Sequence, residues 1–374
     1  MPTARLVVSL LVALIGAWSC AHGQVPAEAG LVEASLTGAE LQQVRDLTQI
    51  SSVSLRVHRS EHFLLFHAGE TGWAAQTANL LEQAHSDFHA WLGQFGFAAS
   101  AHADRLVWVC FCHCQEFDAY SRGNDQMDMS WTDGYYSART NRVALVLPPR
   151  RITGQSEAAE VTAHAEVYPA AGVTGYDPSL DWPADLPADA PRWRTAEQVD
   201  TRWITHELAH QLAFNCGLQK RGVLYPLWLA EGLATSFEAD DDGRFGFGRD
   251  NAPRRRTLLA AHAHHRLLPL RRFVAMDRLG EKGQTAARRQ YAQAWGLFHF
   301  LSRERPEQLR QYLRSLRGLE EDWRDPATLR REFVEAFGPI DQMERDWRGW
   351  LANLAEEQEA QEQPIPAPVA SGQP

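Results

Sequence analysis

Residues 206–210 read His-Glu-Leu-Ala-His, inside the stretch WITHELAHQLAF (203–214), and residues 228–232 read Trp-Leu-Ala-Glu-Gly. On a helix, His206 and His210 lie one turn apart on the same face. Two imidazoles so placed can share one Zn²⁺, with Glu207 projecting beside them toward the metal's open side. Glu231 can supply a third ligand from a second helix. Three protein ligands and one open position describe a catalytic zinc site, because a structural one is closed by four. Trp203, Ile204, Leu208, Leu212 and Phe214 surround the His pair, as on a partly buried helix. Burying two imidazoles and a carboxylate is costly without a partner, and a cation removes that cost. The motif therefore predicts one Zn²⁺ per chain, held by His206, His210 and Glu231, with Glu207 as general base.

Outward from this pair the chain divides in two. Upstream, the pattern predicts a helix at 38–48, a strand at 62–67 (HFLLFH) and a helix at 73–92. A strand follows at 105–113, then a short helix at 115–121. Tyr135-Tyr136 and 142–147 (RVALVL) form a hairpin around Thr140-Asn141. Residues 153–200 are rich in Ala, Pro, Asp and Gly without a sustained period, which predicts a long surface insertion. The chemistry helix is expected at about 201–215 and the Glu231 helix at about 226–238. From 251 the pattern is helical, with segments at 252–266, 285–303, 306–317, 326–337 and 341–357 punctuated by Pro and Gly. His262, His264 and His265 are expected at the surface. This order gives an α+β fold. The divisions are a 1–23 signal segment, a 24–57 lead-in, a 58–250 catalytic lobe, a 251–357 helical lobe and a Pro-rich 358–374 tail.

The whole chain has 374 residues, 44% of them hydrophobic, with 13 Trp and a formal charge of −10. That is enough for a sizeable core, and the acidity argues against a nucleic-acid partner. The Arg-rich stretch 249–331 is expected to form solvated helix faces paired with Glu and Asp. Arg5 followed by an apolar run from Leu6 to Trp18 reads as an export signal, too short to span a bilayer. A cut after Ala21 or Gly23 gives a periplasmic, cell-surface or secreted protein. A cut before Cys20 instead gives a lipid anchor, the one membrane contact expected. Cys110, Cys112 and Cys114 alternate along VWVCFCHC, which as a strand would face all three to one side. Two readings stand for them: small buried side chains, or one bridge to Cys216. The spacing does not match a CxxC zinc knuckle.

HELAHQLAFN followed by PLWLAEGLATSFE resembles the gluzincin zinc metallopeptidases, above all the peptidase MA-like proteins of bacterial envelopes. It is also similar to the core of M1-type aminopeptidases, which share HELAHQ, an Asn here at 215 and the segment at Leu227 to Gly232. The resemblance implies a thermolysin-like zincin lobe with a small mixed sheet, followed by a mostly helical lobe. It also implies peptide or protein substrates, His206, His210 and Glu231 as ligands, and Glu207 as base. Tyr291-Ala-Gln-Ala-Trp-Gly-Leu-Phe-His-Phe-Leu301 resembles the aminopeptidase helix whose Tyr supports the transition state, which implies that role for Tyr291. By the same analogy, 142–147 would be an edge strand that binds an extended peptide. No GxMEN-like segment, the anchor of a substrate's free amine, lies upstream. Thr235 stands where thermolysin-like members carry an acidic residue, and Glu238 is a candidate acceptor in its place. A catalytically weak zinc-binding envelope module and an aminopeptidase remain as alternatives to an exported metallopeptidase.

Overall fold

The computed structural model describes residues 36–50, 55–69, 71–97, 104–129, 132–146, 201–238, 246, 249–279, 284–319 and 324–362. The signal segment with Cys20, the insertion at 153–200 and the Pro-rich tail from 363 lie outside the described residues.

Helix α1 (Gly38–Ile50) precedes β1 (Arg56–Arg59), β2 (Phe63–His67), α2 (Thr71–Gln94), β3 (Leu106–Phe111), α3 (Cys114–Gly123), β4 (Gly134–Ser137) and β5 (Arg142–Val146). The strands form one mixed sheet in the order β1-β2-β3-β5-β4. β2, β3 and β5 run parallel, and β1 and β4 flank them antiparallel. The three inner strands are apolar except for His67 and Arg142 at strand ends, because both faces are covered. Phe63, Leu65, Trp108, Cys110, Val143 and Leu145 join a core with residues of α2 and of the helices beyond 200. Their alternates Leu64, Phe66, Val107, Val109, Phe111 and Ala144 meet Leu47 of α1 and Phe117 and Tyr120 of α3. The period of two thus splits one run of hydrophobic residues between two layers.

The remainder is helical: α4 (Thr201–Asn215), α5 (Leu227–Phe237), α6 (Ala252–Ala263), α7 (Leu270–Phe273), α8 (Gln284–Glu304), α9 (Pro306–Arg317), α10 (Pro326–Phe337) and α11 (Ile340–Glu362). The fold is therefore α+β, with a small sheet and a mostly helical remainder. The sequence pattern locates nearly all of these; the short α7 was not anticipated. His264 and His265 are exposed and His262 is half-buried, as expected of surface residues.

Three expectations are corrected. The strand at 142–147 is not an edge: β5 pairs with β3, and β4 folds back through Asn141, whose φ is +57°, to take the outer position. The strand carrying the cysteines stops at Phe111, so Cys112 falls beyond it and Cys114 opens α3. The three thiols therefore do not share a strand face. Cys110 and Cys216 are small buried side chains, Cys114 is exposed, and the four described cysteines form no bridge. Finally, the Arg-rich stretch is not wholly solvated: Arg254 is half-buried against Glu238, at 18% side-chain exposure.

Candidate metal centre

Helix α4 is fixed to the sheet by polar side chains on the same helix as the histidines. Gln211 accepts from Trp108 Nε1 at 2.8 Å and donates to the carbonyls of Val107 and Asn141 at 3.3 and 3.1 Å. Asn215 and Asn141 exchange reciprocal amide hydrogen bonds at 2.7 and 2.9 Å. These hydrogen-bonded amides, Gln211 fully buried and the two Asn half-buried, set the helix's rotation and height against β3 and the β4–β5 turn. The helix ends at Gly217, whose φ of +73° suits glycine, and Gln219 N–H reaches back to the Ala213 carbonyl at 2.8 Å.

Helix α5 is placed by α8. A Cβ on Gly232 would meet the Ala294 carbonyl oxygen at 2.6 Å and Phe298 Cβ at 2.7 Å. Only glycine permits this close crossing, and it is the residue directly after Glu231. The same crossing brings Tyr291 of α8 beside the site, its ring centroid 6.1 Å from that of His206.

His206, His210 and Glu231 each bring one ligand atom within 4.8 Å of the others. Glu231 Oε2 lies 3.3 Å from His206 Nε2 and 3.6 Å from His210 Nε2. The imidazole centroids are 4.9 Å apart. The opposite nitrogen of His206, Nδ1, lies 3.0 Å from Glu238 Oε1. An ionised carboxylate can only accept, so Nδ1 donates, and in the neutral ring the Nε2 lone pair faces Glu231. Glu231 Oε2 is itself buried and accepts no hydrogen bond. Two lone-pair donors facing one another in the interior are unfavourable unless a proton or a metal cation sits between them. The chemistry of this donor set, two imidazoles and a carboxylate, fits Zn²⁺. His206 retains 5% side-chain exposure, whereas His210 and Glu231 retain 15% and 18%, so the cluster opens on that side.

The electrostatics agree. Burial pulls the His206 imidazolium down, but Glu231, Glu238 and Glu207 outweigh it and raise the group to about 10, a measure of the field favouring positive charge there. Burial alone would lift the Glu231 carboxyl; the two histidines hold it well below the usual carboxylate range. Glu207 is the opposite case. Burial raises its carboxyl above the ordinary value, against the pull of His206 and His210, and the Tyr136 backbone N–H of edge strand β4 hydrogen-bonds it. Burial, with the charges of Glu231 and Glu207, keeps the Tyr291 phenol protonated far above its usual range.

Thr235 does not take the place of the acidic residue found four positions on in thermolysin-like proteins. Its hydroxyl turns back to the carbonyls of Glu231 and Gly232 at 2.6 and 3.1 Å. Glu238, just past the end of α5, holds His206 instead. Such a carboxylate fixes a ligand's tautomer and raises its basicity. Glu238 is supported by Asn251 and Arg254, two residues the motif reading missed. Their sequence signal is modest: Asn251 precedes Ala-Pro at the start of α6 and caps that helix by accepting from Arg254 N–H at 3.2 Å.

Glu61, His62 and Glu82 also bring three ligand atoms within 4.8 Å. The cysteines and the surface histidines of α6 stand apart from both groups among the described residues.

A mixed α+β chain with an HExxH pair, one histidine buried and one half-buried, and a carboxylate on the following helix is thus defined. Residues 200–318, which hold His206, His210 and Glu231 with Glu207, Glu238, Arg254 and Tyr291, are similar to a family described as "Protein of unknown function (DUF1570)". No curated protein matches the chain.

Proposed function

We propose that the chain is an exported zinc-dependent metallopeptidase that hydrolyses peptide bonds, built on a thermolysin-like zincin lobe. The observation that carries this reading is the convergence of His206, His210 and Glu231 on one point, where the buried Glu231 Oε2 faces only the two imidazole nitrogens. His206, His210 and Glu231 hold the ion. When bound, Zn²⁺ supplies a Lewis acid that polarises a carbonyl and makes water acidic near neutral pH.

The chain's own residues do the rest. Glu207, its carboxyl lifted by burial, takes the proton of the attacking water and passes it to the leaving amine. Its hydrogen bond from Tyr136 N–H fixes the carboxylate beside the His pair. Tyr291, held protonated, donates to the developing oxyanion. β4, the edge strand beside α4, offers main-chain groups to an extended peptide, which would read backbone more than side chains. The exported setting rests on the Leu6–Trp18 run behind Arg5; no described helix is long and apolar enough to cross a membrane.

The test is metal analysis of the purified protein beside Glu231→Ala, with hydrolysis of an unstructured protein substrate assayed in parallel. One zinc per chain, lost in the variant, together with chelator-sensitive cleavage, is expected. Zinc without cleavage of any peptide would move the reading to a zinc-binding envelope module, and no zinc at neutral pH would end it.

A further inference from the structure

Arg254 lies outside the HExxH motif, yet it touches two of the elements that build the site. Its Nε donates to Glu238 Oε2 at 2.9 Å and its Nη2 to Glu238 Oε1 at 2.6 Å. Its guanidinium carbon lies 5.4 Å from the centre of the Tyr291 ring. Asn251 adds a donor to Glu238 Oε2 at 2.9 Å and one to the Thr235 carbonyl at 3.1 Å. With His206 Nδ1, the two Glu238 oxygens meet four donors, so the carboxylate has no lone pair left for a competing orientation. The fork of a guanidinium sets both the plane and the position of a carboxylate, which a lysine's single ammonium cannot do.

We infer that Arg254 is a positioning residue: by clamping Glu238 it sets the tautomer and plane of His206, and by lying on Tyr291 it sets that ring against the same centre. The inference rests on the zinc reading. One residue on α6 thereby ties together the end of α5, the ligand face of α4 and the start of α8. Glu238 has 2% side-chain exposure, so its orientation is set by the side chains that surround it rather than by solvent.

The experiment measures Zn²⁺ affinity of the full chain by competition with a chromophoric chelator. It compares wild type, Arg254→Lys, Arg254→Met, Glu238→Gln and the double variant Glu238→Gln/Arg254→Met. The visible absorption of the Co²⁺-loaded proteins reports coordination geometry. The double variant removes both charges and so guards against a simple failure to fold. Arg254→Met and Arg254→Lys are expected to bind Zn²⁺ about 10–100-fold more weakly, with a changed Co²⁺ spectrum. The double variant is expected to be no weaker than the worse single change, because both residues act through one contact. Wild-type affinity and spectrum in Arg254→Lys and the double variant would overturn the positioning role, as would strictly additive losses. Failure of the wild type to bind Zn²⁺ would overturn the zinc reading itself, and this inference with it.

Discussion

Two groups of histidine and glutamate side chains gather ligand atoms within 4.8 Å of one another, and they differ in what already satisfies those atoms. At His62, Glu82 accepts from Ser60 Oγ at 2.6 Å, from His62 N–H at 2.7 Å and from His62 Nδ1 at 2.6 Å. Glu61 is 82% exposed and hydrated, and the His62 ring stacks on His85 at 4.1 Å. Every charge there has a donor or water, so the group clamps the turn into β2. At His206 the charges lie in the interior, the far nitrogen is committed to Glu238, and Glu231 Oε2 meets only the two imidazole nitrogens. Proximity of ligand-type residues is common to both regions. Burial with an unmet demand for positive charge belongs only to the second.

The largest effect expected from this contrast is catalytic. Glu207→Gln should retain zinc while peptide hydrolysis falls by about 10²–10⁴-fold, since only the proton acceptor is lost; metal analysis and turnover on the same preparation check it. Next comes metal binding itself. Glu231→Ala should weaken zinc by more than the roughly 10–100-fold that an outer partner costs, whereas Glu82→Ala should leave one zinc per chain. A second equivalent lost with Glu82 would erase the distinction between the regions.

Stability follows. Gly232→Ala drives a methyl into the Ala294 carbonyl and should cost about 1–3 kcal/mol in urea unfolding, with weaker zinc binding because Glu231 moves with α5. The smallest effect concerns acid. Burial would lift the Glu82 carboxyl, but His62 N–H, Ser60 and the His62 side chain hold it below its ordinary value near 4.5. The stability it contributes is complete above that value and is lost as pH falls through the depressed one. Glu82→Gln should therefore flatten the acid limb of a pH–stability curve by less than about 1 kcal/mol, with no change in zinc content.

Much of this was legible from the chain. Short apolar runs marked β2, β3 and β5, and Pro or Gly punctuation separated the helical segments after 251. HELAH alone put His206 and His210 on one face. The misread parts share a cause. Whether residues 142–147 lie at an edge depends on what pairs on each side: the hairpin partner β4 was legible around Thr140-Asn141, but the parallel pairing with the distant β3 was not. The cysteine alternation failed because β3 stops at Phe111, one residue before the second thiol, and no periodicity marks that end. Arg254 looked like one more arginine of a solvated face.

The sequence by itself determined the chemistry on offer: two imidazoles one helical turn apart, a carboxylate between them and another on the next helix. These follow from residue spacing and the fixed geometry of an α-helix. Only the tertiary structure decided that Glu231 meets the pair, because that depends on how closely α5 and α8 cross at Gly232. Only the tertiary structure made Glu238, rather than a residue at position 235, the partner of His206, and made Arg254 the partner of Glu238. Such contacts join residues of separate helices, and their strength comes from burial, which neighbours in the chain do not specify.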